Sequence, residues 1–120
     1  MPGQITTHVL DTAHGHPAAN MKIELWRIDV SGERKRLLKD VTTNADGRTD
    51  KPLLEAGEME NGIYELIFFV GDYFSTIIPT SDSVRFLDRV PVRFGISDVN
   101  VRYHIPLLAS PWAYSTYRGS

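Results

Sequence analysis

The chain has 120 residues, a formal net charge of -2, 42% hydrophobic and 23% charged residues, and no cysteine. This composition describes one globular domain over 1–120, large enough to bury a core without covalent staples. Charges of mixed sign exclude a basic stripe for nucleic acid, and the missing thiols exclude a disulfide framework, a thiolate nucleophile and sulfur-ligated zinc.

Hydrophobic periodicity is mostly two, the period of strands. Residues 5–10 alternate, with Ile5, Thr7 and Val9 on one face and Thr6, His8 and Leu10 on the other. A turn is expected at His14-Gly15-His16-Pro17. Residues 21–29 set Met21, Ile23 and Leu25 against Lys22, Glu24 and Trp26, and after Ser31-Gly32 a strand returns over 35–42. Asn44-Ala45-Asp46-Gly47 is a turn signal, because Asp and Gly tolerate positive φ. A short strand around Arg48 to Asp50 is expected next. Residues 62–70 are apolar on both faces, which predicts a central strand. The one helix is predicted over 72–78, with Gly71 or Asp72 near its start and Pro79 ending it. Strands over 85–96, 99–108 and 113–118 complete the chain. About eight short strands and one brief helix predict an all-β fold, an antiparallel two-sheet sandwich.

The longest apolar run, near Ile63 to Val70, is too short to span a bilayer. The first residues have neither the basic nor the apolar segment of a signal peptide. The expected location is the cytoplasm, with no membrane and no nucleic acid among the partners.

Polar residues on strands are the candidates for chemistry. In 99–108, Val99, Val101, Tyr103 and Ile105 share a face, while Asn100, Arg102 and His104 point the other way. His8 is likewise opposed to Ile5 and Val9. One such histidine is ordinarily solvated or structural; two, with an arginine behind a tight turn, weaken that reading without overturning it, because convergence is not written in the sequence. Arg48 follows Asp46-Gly47; it reads either as a solvated turn residue or as a forked clamp for an anion or carbonyl. A calcium loop fails here: aligning Gly47 with the loop glycine puts Thr42 and Leu53 where carboxylates are needed. His14 and His16 could chelate metal, but no third ligand is evident nearby, and they read as a solvated turn. Serine-hydrolase, nucleotide and dinucleotide motifs are absent. The tail Tyr114 to Ser120 is aromatic to its end, which predicts docking in place of the usual fraying.

Several blocks together resemble the 5-hydroxyisourate hydrolase family, also called transthyretin-related proteins. They are Thr6-Thr7-His8-Val9-Leu10-Asp11, Gly15-His16-Pro17-Ala18, Thr43 to Arg48, Pro91-Val92-Arg93-Phe94, and Tyr103 to Leu108 through Ser110-Pro111 to Tyr117-Arg118-Gly119-Ser120. They run in order over nearly the whole chain, and the terminal Tyr-Arg-Gly-Ser is specific to the hydrolase branch. The resemblance implies a transthyretin-like sandwich and a homotetramer, a dimer of dimers with active sites in a central channel. It implies His8, Arg48, His104 and Ser120 as catalytic residues, and His8, Arg48, Tyr117, Arg118 and Gly119 as substrate-binding residues. The implied substrate is 5-hydroxyisourate, opened by histidine-activated water with no metal and no organic cofactor. Two rival readings are a transthyretin-like carrier of a flat aromatic ligand, which needs an apolar channel, and a sandwich interaction module, which needs no clustering of these residues.

Overall fold

A computed structural model of the chain describes residues 3–78 and 83–119. The chain forms β1 (Gln4–Asp11), β2 (His16–Pro17), β3 (Lys22–Ile28), β4 (Lys35–Thr42), a 3-10 turn (Ala56–Glu58), β5 (Gly62–Phe68), α1 (Val70–Ser75), β6 (Val90–Ile96), β7 (Arg102–Ala109) and β8 (Tyr114–Thr116). Two four-stranded sheets result, in the orders β2-β1-β7-β8 and β4-β3-β5-β6. The expected two-sheet sandwich with one short helix is the fold that forms.

The alternation expected in β1 holds: Ile5, Thr7, Val9 and Asp11 are buried, while Gln4, Thr6, His8 and Leu10 face outward and are half-buried. Ile5 and Val9 meet Tyr103, Ile105 and Leu107 of β7, and Ile23, Leu25, Leu66 and Phe68 supply the opposing layer of one continuous core. Strand β5 lies between β3 and β6, and its residues Tyr64 to Phe68 are all buried, as a central strand requires. No helix among the described residues is long and apolar enough to cross a membrane.

One ladder departs from the antiparallel rule. β1 and β7 run parallel, in register from Gln4↔Arg102 to Asp11↔Ala109. A parallel pair cannot be closed by a hairpin, so the chain between the two strands builds β2 and the whole second sheet. Thr6 thereby sits opposite His104 across 98 residues of sequence.

Elsewhere the strand boundaries shift for local reasons. The strand expected at Arg48 to Asp50 is absent, because a turn holds that segment: the Asn44 side chain accepts from the Asp46 and Arg48 amides, and the Asn44 amide donates to the Arg48 carbonyl at 2.8 Å. The strand expected over 85–96 begins only at Val90, since the preceding segment braces the helix. Arg85 pairs with Asp72 and Asp88, and the Gly71 amide donates to the Asp88 carbonyl. The helix starts at Val70, directly after β5 and earlier than expected; Pro79 lies outside the described residues. The His14 to Pro17 segment turns as expected, and its last two residues add β2 to the edge of β1.

Gly47 fixes how the 44–48 turn docks. Its φ is +75°, its carbonyl accepts from the Val9 amide at 2.8 Å, and a Cβ at this position would overlap the Val9 carbonyl oxygen. Gly47→Ala therefore combines left-handed strain with a displaced hydrogen bond and is expected to cost about 3 kcal/mol. Urea unfolding is the check; a loss below about 1 kcal/mol would mean that the turn can move off β1 without penalty.

Candidate active site

The outward face of the β1–β7 pair carries polar side chains above the apolar core. The parallel register sets Thr6 beside His104 and places His8 two residues further along, about 7 Å up the strand. The other edge of β1 is covered by the segment that follows the 44–48 turn. Val9 donates to Gly47, Ile5 donates to Leu54, and Leu53 donates to Ile5. These backbone bonds hold Arg48 at the edge of the strand that bears His8. Between this segment and β7 lies an open groove of about 470 Å³, lined among others by Thr6, Arg48, Asp50, Lys51, Arg102 and His104. Three fixed cations against one carboxylate make the groove favour an anionic or oxygen-rich guest.

His104 is the best-positioned titratable group in it. The imidazole is half-buried, and its Nδ1 lies 2.8 Å from Thr6 Oγ1. Burial, then the positive charge of Arg48, then His8 hold its pKa below the ordinary 6.5. A neutral imidazole is thus the resting form near neutral pH. When Nδ1–H donates to Thr6, Nε2 keeps its lone pair, the form that a general base requires. Thr6 is the residue that sequence reasoning missed. Its signal was its place in the block that carries His8, but its partner is 98 residues away and depends on the tertiary register.

The tail reaches the same histidine. β8 pairs with β7 from Ala109↔Tyr114 to Leu107↔Thr116, and the register continues to a bridge between His104 and Gly119, whose amide donates to the His104 carbonyl at 2.8 Å. A Cβ at Gly119 would overlap His104 Cδ2, the ring carbon bonded to Nε2. Only a glycine lets the tail lie this close. By the same register Tyr117 falls on the face of His104 and is exposed, whereas Arg118 falls on the other face and lies over the Tyr103 ring at 4.6 Å. The structure therefore brings His8, Arg48, His104, Tyr117 and Gly119 to one face and turns Arg118 away from it. Ser120 lies outside the described residues.

One further cluster corrects the reading of the His14-Gly15-His16 turn. A third metal-ligating side chain is present: Asp11, at the inward-facing end of β1, lies with His14 and His16 in a group whose ligand atoms are within 4.8 Å of one another. It is not part of the groove.

Known proteins resemble the chain over its full length. It is 56% identical over 120 residues, 100% of both chains, to a protein of Halalkalibacterium halodurans named 5-hydroxyisourate hydrolase. The structure of Klebsiella pneumoniae 5-hydroxyisourate hydrolase matches with a TM-score of 0.78 and 30% identity over 100% of both chains. A crystal structure of (S)-allantoin synthase matches with a TM-score of 0.90 and 46% identity; 98% of this chain covers 44% of that one, so the chain spans less than half the length of that protein. The HIUase/Transthyretin family profile matches residues 5–119. With a shared sandwich, a profile match over residues 5–119 and relatives of this similarity, the chain belongs to the HIUase/Transthyretin family.

Proposed function

We propose that the groove hydrolyses 5-hydroxyisourate to 2-oxo-4-hydroxy-4-carboxy-5-ureidoimidazoline. The observation that carries this reading is the setting of His104: an imidazole held neutral beside Arg48 and His8, with Nδ1 on Thr6 and Gly119 against its far edge. The relatives' names supply the substrate. His104 Nε2 takes a proton from water, and the water oxygen forms a bond to a ring carbonyl carbon. The C–N bond of that cyclic amide then breaks, and the departing nitrogen receives a proton from His104 or His8. Arg48 offers forked donors to the oxygen on which negative charge develops. Tyr117 contributes a ring and a hydroxyl to the edge of the planar substrate. Arg118 acts on the tail, anchoring it over Tyr103. Ser120 enters the site on family resemblance alone. An apolar carrier channel is disfavoured by the cations that line the groove.

The test is to generate 5-hydroxyisourate in situ with urate oxidase and follow its loss by absorbance. Acceleration by the purified protein supports the proposal, and a rate equal to spontaneous decay overturns it. Arg48→Lys keeps the charge and loses the fork, so turnover in the same assay should drop about tenfold or more. A variant within about threefold of wild type would mean that only a positive field is needed.

We further propose that the active form is a homotetramer, a dimer of dimers. Trp112, Tyr114 and Tyr117 are 70%, 45% and 61% exposed around the tail, more aromatic surface than a monomer of this size comfortably presents to water. Light scattering should return four times the mass of the chain; a fully active monomer would contradict this.

A further inference from the structure

The cluster at the end of β1 has a chemistry of its own. The Asp11 side chain is fully buried, on the face of β1 opposite His8. It accepts from the Tyr73 hydroxyl at 2.8 Å, from His14 Nδ1 at 2.7 Å and from the His14 amide at 3.0 Å. The carboxyl serves as acceptor in all three bonds, so His14 carries a proton on Nδ1, and the neutral tautomer with that bond offers its lone pair at Nε2. The same logic applies to His16. Its Nδ1 lies 2.8 Å from the Pro17 carbonyl oxygen, another pure acceptor, so the neutral tautomer with that bond likewise offers its lone pair at Nε2. The two rings are stacked, with centroids 5.6 Å apart and planes 16° from parallel.

An imidazole whose one nitrogen donates to a carboxylate or backbone carbonyl, with the other nitrogen free, is the outer-shell arrangement of a metal-ligating histidine. Two such imidazoles lie here in one group with Asp11, with a ligand atom of each within 4.8 Å of the others. We propose that His14 and His16 bind one divalent ion of the zinc, nickel or copper class through their Nε2 atoms, with Asp11 as the carboxylate behind His14. Imidazole nitrogen selects this class over magnesium or calcium, which require oxygen ligands. Both histidines are exposed, so their rings can close the short distance to a shared ion, and water completes the coordination. The bound ion would clamp the loop after β1 onto the helix, because Asp11 is tied to Tyr73 and His14 stacks on Phe74 at 6.5 Å. Its role is that of a cross-link, independent of the groove chemistry.

The experiment is calorimetric titration of the full chain, carrying no histidine tag, with Ni²⁺. His8 and His104 are competing imidazoles on the other face, so the variants must separate the two pairs. The expected result is one ion per chain, bound about tenfold or more weakly in His16→Asn and in His14→Asn, and with unchanged affinity in His104→Asn. His16 is exposed, so its variant will fold, and thermal unfolding supplies a second readout. Ni²⁺ should raise Tm in the wild type and leave it unmoved in His16→Asn. No uptake at millimolar Ni²⁺, uptake insensitive to His16→Asn, or uptake lost only in His104→Asn would each overturn the proposal.

Discussion

His104→Asn is expected to lower kcat by about 100-fold or more while the sandwich stays intact, the size of effect that follows loss of a general base. The side chain is half-buried, on the outer face of β7, and its backbone ladder to β1 does not depend on the ring. Stability should therefore change little and chemistry greatly. A pH profile makes the assignment specific. Burial and the charge of Arg48 both disfavour the imidazolium, so the imidazole stays neutral, and competent as a base, to a pH below its ordinary 6.5. The acid limb of kcat/KM should fall below that value accordingly. Removing the charge with Arg48→Gln leaves burial and His8 to act, so the His104 pKa should rise toward the ordinary value, a shift readable by NMR titration of the ring. Full activity in His104→Asn would exclude this histidine as the base. A His104 pKa unmoved by Arg48→Gln would mean that the two groups do not share a site.

Ending the chain after Thr116 should reduce turnover by about 100-fold or more with only a modest loss of stability. The deletion removes the Gly119 amide bond to the His104 carbonyl and the Arg118 contact with Tyr103. Together these are worth about 1–2 kcal/mol, too little to unfold a domain whose core is untouched. β8 remains, held by its ladder to β7 and by Thr116 Oγ1, which donates to the Pro106 carbonyl at 2.7 Å. Activity depends on the tail more heavily, since Gly119 packs against the ring edge next to Nε2 and Tyr117 stands on the same face. Gly119→Ala is the finer probe: the added methyl must displace either the imidazole or the tail, so turnover should drop about tenfold or more with the fold unchanged. Circular dichroism and size-exclusion chromatography confirm the native state of both variants. A folded, fully active truncation would reduce the tail to a structural element.

Much of the sandwich was readable from local pattern. Alternation in 5–10 assigned the inner and outer faces of β1, and the doubly apolar 62–70 segment marked the central β5, because burial on one face or two leaves a direct trace in residue order. Local turn chemistry likewise placed Asn44 to Gly47, although the bonds that close this turn also removed the strand expected after it. The helix and β6 were displaced because Arg85 and Asp88, charged residues with no periodic signal, were recruited to brace Gly71 and Asp72.

The candidate site divides in the same way. Its residue types were legible: His8, Arg48 and His104 are polar groups on faces or turns where packing does not need them, and the terminal blocks carried a family resemblance. Their convergence was not. It depends on a parallel register between strands 98 residues apart, on a glycine turn docked to Val9, and on a tail that runs along β7 to His104. Arg118 and Tyr117 are neighbours in sequence yet fall on opposite faces once β8 takes its register, so only pairing decided which of them shares the face of His104. Asp11 joined His14 and His16 for a comparable reason, since a buried carboxylate three residues before His14 comes near both rings only when the loop folds back over the end of β1. Sequence alone thus determined which side chains face out and which bend the chain, both being short-range properties of period and backbone sterics. Tertiary structure decided which of those side chains meet, because non-local register is set by packing of the whole core.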